Sequence, residues 1–104
     1  MNPKVERAIA KKKFDPLKKL ADGRDEALRN EAIEAMGQVP GEDSFNFLTA
    51  ALRSPSAAIR AAAANGLAAL REPKANAFLS HQLHLETDEG VCEKIRNAMA
   101  LSRK

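Results

Sequence analysis

The chain has no Trp and no Tyr, and only four Phe. With three Val and two Thr besides, it lacks the aromatic and β-branched residues from which sheets are built. Its single Cys excludes an internal disulfide and fits a reducing compartment, so a cytoplasmic location is expected. No apolar run nears the roughly 20 residues of a membrane-spanning helix. The amino-terminal segment carries charges on both sides of its short apolar positions, unlike a signal peptide. Ser, His and Asp form no nucleophile pattern, no Gly-rich loop could cradle phosphate, and no paired-carboxylate motif occurs, so no enzyme activity is expected. His81, His84 and Cys92 are the only soft metal ligands, and a structural zinc site needs four; neither a metal nor a cofactor is expected.

What remains is rich in Ala, Leu, Glu, Lys and Arg: 44% hydrophobic and 30% charged over 104 residues, the composition of an all-α globular domain. The stretch Ile59–Leu70 is almost pure helix former. Ile59, Leu67 and Leu70 lie on one stripe, and alanines fill the gaps between them. A helix with so little bulk lets neighbours approach on more than one side.

The remaining helices follow from caps and spacing. Asn2-Pro3 starts a first helix with Val5, Ala8 and Ile9 as a narrow apolar stripe, ending at Lys11-Lys12-Lys13. Asp15-Pro16 is the expected start of the second, which carries Leu17 and Leu20 and stops at Asp22-Gly23. Asp25 or a neighbour opens a third with Leu28, Ala32, Ile33 and Met36, and Gly37 either stops it or permits close packing. After the turn Val39-Pro40-Gly41, Asp43 or Ser44 is expected to start a fourth, with Phe45, Leu48 and Leu52 inward. Ser54-Pro55 is the expected start of the alanine-rich fifth, which Glu72-Pro73 closes. A sixth carries Phe78, Leu79 and Leu83, and Thr87-Asp88 caps a seventh with Val91, Ile95 and Met99.

A repeat underlies this order. Leu17, Leu48 and Leu79 are 31 residues apart; Leu28, Ile59 and Val91 follow at 31 and 32, as do Met36, Leu67 and Met99. A lone pair of such helices cannot hide both its faces, so the pairs must stack. The expected fold is an α-solenoid of about three helix pairs: a capping helix at 2–13 and units near 14–40, 41–73 and 74–104, in one domain.

The segments DEALRNEAIEAMG, SAAIRAAAANGLAAL and DEGVCEKIRNAMALS resemble the second helices of short bacterial HEAT-like repeats, a group that includes the repeats first described in phycobilisome lyases. Leu28-Arg29 and Ile59-Arg60 match the family's aliphatic-Arg pair; Val91-Cys92 departs from it. The resemblance implies that this Arg braces its turn, with Asp22 or Asp25 in reach of Arg29 and no Asp in Arg60's own turn. It further implies second helices lining a concave face that binds a protein partner, without chemistry of its own. A bilin-lyase-like accessory role is an alternative that the resemblance leaves open, although few aromatic residues are available to stack on a tetrapyrrole.

Two candidate surfaces follow. Six residues beyond each aliphatic anchor stand Glu34, Asn65 and Asn97, a polar ladder off the core stripe, flanked by Asn30, Glu31, Glu93 and Lys94. Asn weakens a helix interior and needs a reason to be there. The other surface is the lysine cluster Lys11, Lys12, Lys13, Lys18 and Lys19, within a 20-residue end bearing seven basic side chains against two acidic ones. Residues 21–50 reverse that, with seven acidic against two basic. The cluster suits phosphate backbones, but Phe14 is its only neighbouring aromatic and the acidic middle opposes a long polyanion. A solvated end or a contact for an acidic partner fits better. The first helix's stripe is too narrow for a membrane surface. With Arg96, Asn97, Ser102, Arg103 and Lys104 as a polar cap on the last helix, a monomer or an end-to-end dimer is expected.

Overall fold

The computed structural model describes residues 1–102. Seven helices follow in order: α1 (Pro3–Ala10), α2 (Phe14–Ala21), α3 (Glu26–Ala35), α4 (Glu42–Ala51), α5 (Ala57–Leu70), α6 (Ala75–Leu85) and α7 (Glu89–Ser102), with a 3-10 turn at Met36–Gln38. No strand occurs among the described residues.

The pairs α2/α3, α4/α5 and α6/α7 pack as hairpins, and α5 lies between α3 and α7 as the middle plank. This is an all-α solenoid, with α1 laid over α2 and α3 at one end. The repeat shows in burial: Leu17, Leu48 and Leu79 are each 0% exposed. Met36 and Leu67 are fully buried as well, whereas Met99, the last of that series, is half-buried at the far end.

Side-chain size differs between the two layers of helices. Second helices meet through alanines: Ala32, Ala35, Ala62, Ala63, Ala64, Ala68 and Ala98 are buried in the α3–α5–α7 layer. First helices meet through rings. Phe14 of α2 sets its edge on Phe47 of α4 (centroids 6.1 Å), and Phe45 of α4 does the same to Phe78 of α6 (5.7 Å). All four Phe therefore bridge the first-helix layer, which they hold wider than the alanine layer. A stack packed more closely on one side than on the other is expected to bend toward the closer side, which makes the α3–α5–α7 side the expected inner layer.

Glycine makes the closest approach. A Cβ on Gly37 would run into the Gly66 carbonyl oxygen and lie 2.9 Å from Ala69 Cβ. The 3-10 turn therefore rests directly on the backbone of α5, and Gly37 both ends α3 and permits the crossing.

Local starts follow the caps, with three corrections. Asn2, Asp25 and Asp88 accept from the backbone amides of Lys4, Leu28 and Val91, as their positions predict. Asp15 is not a cap. Lys12 adopts a left-handed conformation (φ 52°), so the chain has already turned when it reaches Phe14, and the extended residue before α2 is Lys13. Asp43 and Ser44 do not start α4; Gly41 does, at φ 138°. Ser44 is instead buried in the first turn with no partner for its Oγ. Ser56, not Ser54, caps α5 through the Ile59 amide, while Ser54 Oγ accepts from the Ser56 amide. The polar cap expected on the last helix also needs revision: Ser102 is 0% exposed, and Arg103 and Lys104 lie outside the described residues.

The Asp25 cap offers a direct check. Asp25→Ala removes the acceptor for the Leu28 amide and should cost about 1 kcal/mol of unfolding free energy in a urea titration. An unchanged midpoint would mean that α3 does not begin there.

Candidate functional site

The inner face is the solvent side of α3, α5 and α7. Along α5 it is shallow, because Ala58 and Ala69 are exposed and Ala61 is half-buried. Longer side chains flank this alanine floor, with Asn30 and Glu34 on α3 and Glu93, Lys94 and Asn97 on α7. Asn65 Nδ2 donates to Glu34 Oε2 at 3.1 Å across the two helices. These side chains stand 31 residues apart, one repeat length, and the bond joins two rungs of the expected ladder.

The structure treats the other ladder residues unequally. Glu34, Glu93, Lys94 and Asn97 are exposed, and Asn30 is half-buried. Glu31 is engaged elsewhere: its Oε2 accepts from the Asn2 backbone amide at 2.8 Å, which ties the start of α1 to the flank of α3. Asn97 is not hydrogen-bonded to Asn65, so the ladder has one closed rung and one open one.

The arginine brace differs from expectation. Arg29 reaches neither Asp22 nor Asp25. Its Nε and Nη2 donate to the Gly23 carbonyl oxygen at 3.2 and 2.9 Å. A carbonyl of the turn between α2 and α3 is thereby satisfied. Arg60 does the same one repeat on, donating from Nη1 to the Ser54 carbonyl (2.9 Å) and the Pro55 carbonyl (3.1 Å). In the third unit the thiol of Cys92 lies 3.8 Å from the Glu86 carbonyl oxygen. In all three units the residue after the aliphatic anchor reaches a carbonyl six positions back. The Cys keeps the contact and drops the charge.

Arg60 also finds a carboxylate that its own turn lacks. Its Nε and Nη2 donate to Glu86 Oε1 (2.8 Å) and Oε2 (2.9 Å), a two-pronged pair between the second unit and the turn of the third. The Glu86 side chain is 1% exposed and the Arg60 side chain 15%. Gln82 Nε2 and the Asp88 amide donate to the remaining capacity of the carboxylate. Burial pushes the Glu86 carboxyl upward, but the hydrogen bonds from Arg60, Gln82 and Asp88, with the Arg60 charge, outweigh it and hold the group below its ordinary value. Donating to Glu86 likewise raises Arg60, against the opposing effect of burial.

The lysine cluster divides. Lys11, Lys13 and Lys19 line a groove between α1 and α2, joined by Lys4 and Arg7, while Lys12 and Lys18 stand outside it. Lys18 is paired with Asp22 at 3.0 Å. Lys4 and Arg7 were legible as members from helical spacing, since positions 4, 7 and 11 share a face of α1. Glu86 carried no such signal. His81 and His84 are exposed on α6, and among the described residues no three His, Cys, Asp or Glu side chains gather as a metal-binding set. No helix among them is long and apolar enough to cross a membrane.

Compared with curated proteins and with solved structures, the chain has no match. A family model described as HEAT repeats does match it, over residues 14–100. That span takes in all three helix pairs and leaves α1 outside as the added end helix. With the stacked hairpins, the alanine-packed inner layer and the repeated arginine brace already in place, the chain belongs to the HEAT-repeat family.

Proposed function

We propose that this chain is a small non-catalytic scaffold that binds a protein partner on the inner face of its solenoid, along Asn30, Glu31, Glu34, Asn65, Glu93, Lys94 and Asn97. HEAT repeats are generally protein-interaction scaffolds and typically lack enzymatic activity. The observation that carries the reading is the Glu34–Asn65 rung, an exposed carboxylate and a half-buried amide in register on adjacent inner helices above a floor of alanine. Small floor residues leave room for a partner's side chains, and the flanking amides and carboxylates supply the hydrogen bonds that orient it. Glu31 contributes at the margin, because one of its oxygens is already spent on α1. In this reading the chain is one domain of three units, near 14–40, 41–73 and 74–104, behind the end helix.

The test is a charge reversal on the strip. Immobilised wild type and the Glu34→Lys/Asn65→Lys/Asn97→Lys variant are offered the same lysate of the source cells. Glu34 and Asn97 are exposed and Asn65 is half-buried with only the Glu34 bond to lose, so the variant should keep its helical circular dichroism and unfold within about 1 kcal/mol of wild type per site. Proteins captured by wild type and lost by the folded variant support the inner face. Identical capture by both removes it.

A further inference from the structure

We infer that the groove between α1 and α2 is a second docking site, for a short acidic amphipathic segment of a protein partner. The groove holds about 460 Å3 and is lined by Lys4, Arg7, Lys11, Lys13 and Lys19 around a floor of Ala8, Pro16 and Leu20. None of the five cations forms an ion pair among the described residues, unlike Lys18, which Asp22 neutralises. Five like charges held round one concavity repel one another, and an anion seated there relieves that repulsion.

The floor decides which anion. A phosphodiester backbone presents charge but no apolar side chain, and would leave Leu20 and Pro16 facing its oxygens. A nucleic-acid strand would also want aromatic faces to stack on. Phe14, the nearest in sequence, is turned instead to Phe47. A longer polyanion would run on toward Asp15, Asp22, Asp25 and Glu26, all exposed. A segment with one or two Leu or Ile side chains flanked by Asp and Glu matches both the floor and the rim, and is short enough to stop before the acidic residues. This site lies on the α1 side of the stack and shares no residue with the inner-face strip, so the two readings stand or fall separately.

The probe is a fluorescein-labelled peptide of alternating Glu-Glu-Leu-Leu units, followed by fluorescence anisotropy. Two comparators carry the same charge: an oligo-glutamate with no apolar residue, and a single-stranded oligonucleotide. The variants are Lys4→Glu/Lys11→Glu/Lys19→Glu, all exposed positions, and the inner-face triple variant. The amphipathic peptide should bind at micromolar concentration and weaken as salt rises. The lysine reversals should lower its affinity at least about tenfold, and the inner-face variant should leave it unchanged. Oligo-glutamate should bind several-fold more weakly, for want of contact with the floor. The inference is overturned if the peptide shows no binding at about 1 mM, if the folded lysine variant binds it equally, or if the oligonucleotide binds as tightly as the peptide, which would make the groove a general polyanion site.

Discussion

Arg60→Ala should lower the free energy of unfolding by about 3–4 kcal/mol, whereas Arg29→Ala, the equivalent change one repeat earlier, should cost about 1–2 kcal/mol. Both arginines brace a turn through a carbonyl six residues back. Only Arg60 also neutralises a carboxylate that is almost wholly buried. Its removal strands the Glu86 charge in the seam between the second and third units, with only Gln82 and the Asp88 amide left to hold it. Urea titrations of the two variants would measure the difference directly. Equal losses would mean that Glu86 adds nothing beyond the brace.

Acid should narrow the gap between wild type and Arg60→Ala. The Glu86 carboxyl is held below its ordinary value in the folded chain, so its contribution is complete above the ordinary carboxylate range and is lost as the pH falls through the lowered value. In Arg60→Ala burial acts on Glu86 without the opposing guanidinium, and protonation there relieves a penalty rather than removing a stabilising bond. The difference between the two proteins should be largest near neutral pH and shrink below about pH 4. A difference that stays constant with pH would place the effect in packing or in the carbonyl brace instead.

The second large effect is expected at the crossing of the first and second units. Gly37→Ala should destabilise by about 3 kcal/mol, because the added carbon meets the Gly66 carbonyl oxygen and Ala69 Cβ, neither of which can move unless α5 withdraws from the end of α3. Gly66→Ala is the informative comparison. Its added carbon meets Leu48 Cδ2 at 2.7 Å, the end of a flexible side chain, and the Ile33 carbonyl at 3.1 Å. Replacing Gly by Ala inside a helix returns about 1 kcal/mol of propensity, so the net cost there should be about 1 kcal/mol. Thermal unfolding of the two variants would rank them. If Gly66→Ala were the worse of the pair, the contact at Gly37 would not be the tight one.

The periodic features of this fold were legible in the sequence because they rest on side-chain type alone. Leu17, Leu48 and Leu79 recur at one interval and occupy equivalent buried places, and the alanines of Ile59–Leu70 announced the central helix. Interactions with backbone carbonyls left no such trace, since every residue has one. Asp22 and Asp25 therefore stood out as partners for Arg29, which takes the Gly23 carbonyl instead, and the acid missing from Arg60's own turn lay 26 residues away in the next unit's turn. The helix starts failed for a related reason. Ser44 and Ser54 are good caps by type, but a left-handed or extended residue nearby had already fixed where each helix began. The ladder was half legible: its spacing gave the Glu34–Asn65 rung, while nothing in the sequence reserved Glu31 for the start of α1. For the basic end, the run of lysines drew attention to Lys12 and Lys18, whereas helix geometry places Lys4 and Arg7 in the groove instead.

The single-file order of the three hairpins underlies every reading above, and chemical cross-linking across the inner face tests it most directly. In a Cys92→Ser background, cysteines are placed in pairs at 34 and 65, 65 and 97, and 34 and 97, and treated with a bis-maleimide just long enough to join neighbouring helices. Adjacent inner helices sit about 8–10 Å apart and the outer two of three about twice that. The first two pairs should link within the chain and the third should not. Efficient linking of 34 to 97 would place α3 beside α7, gather the hairpins round one centre, and contradict the solenoid.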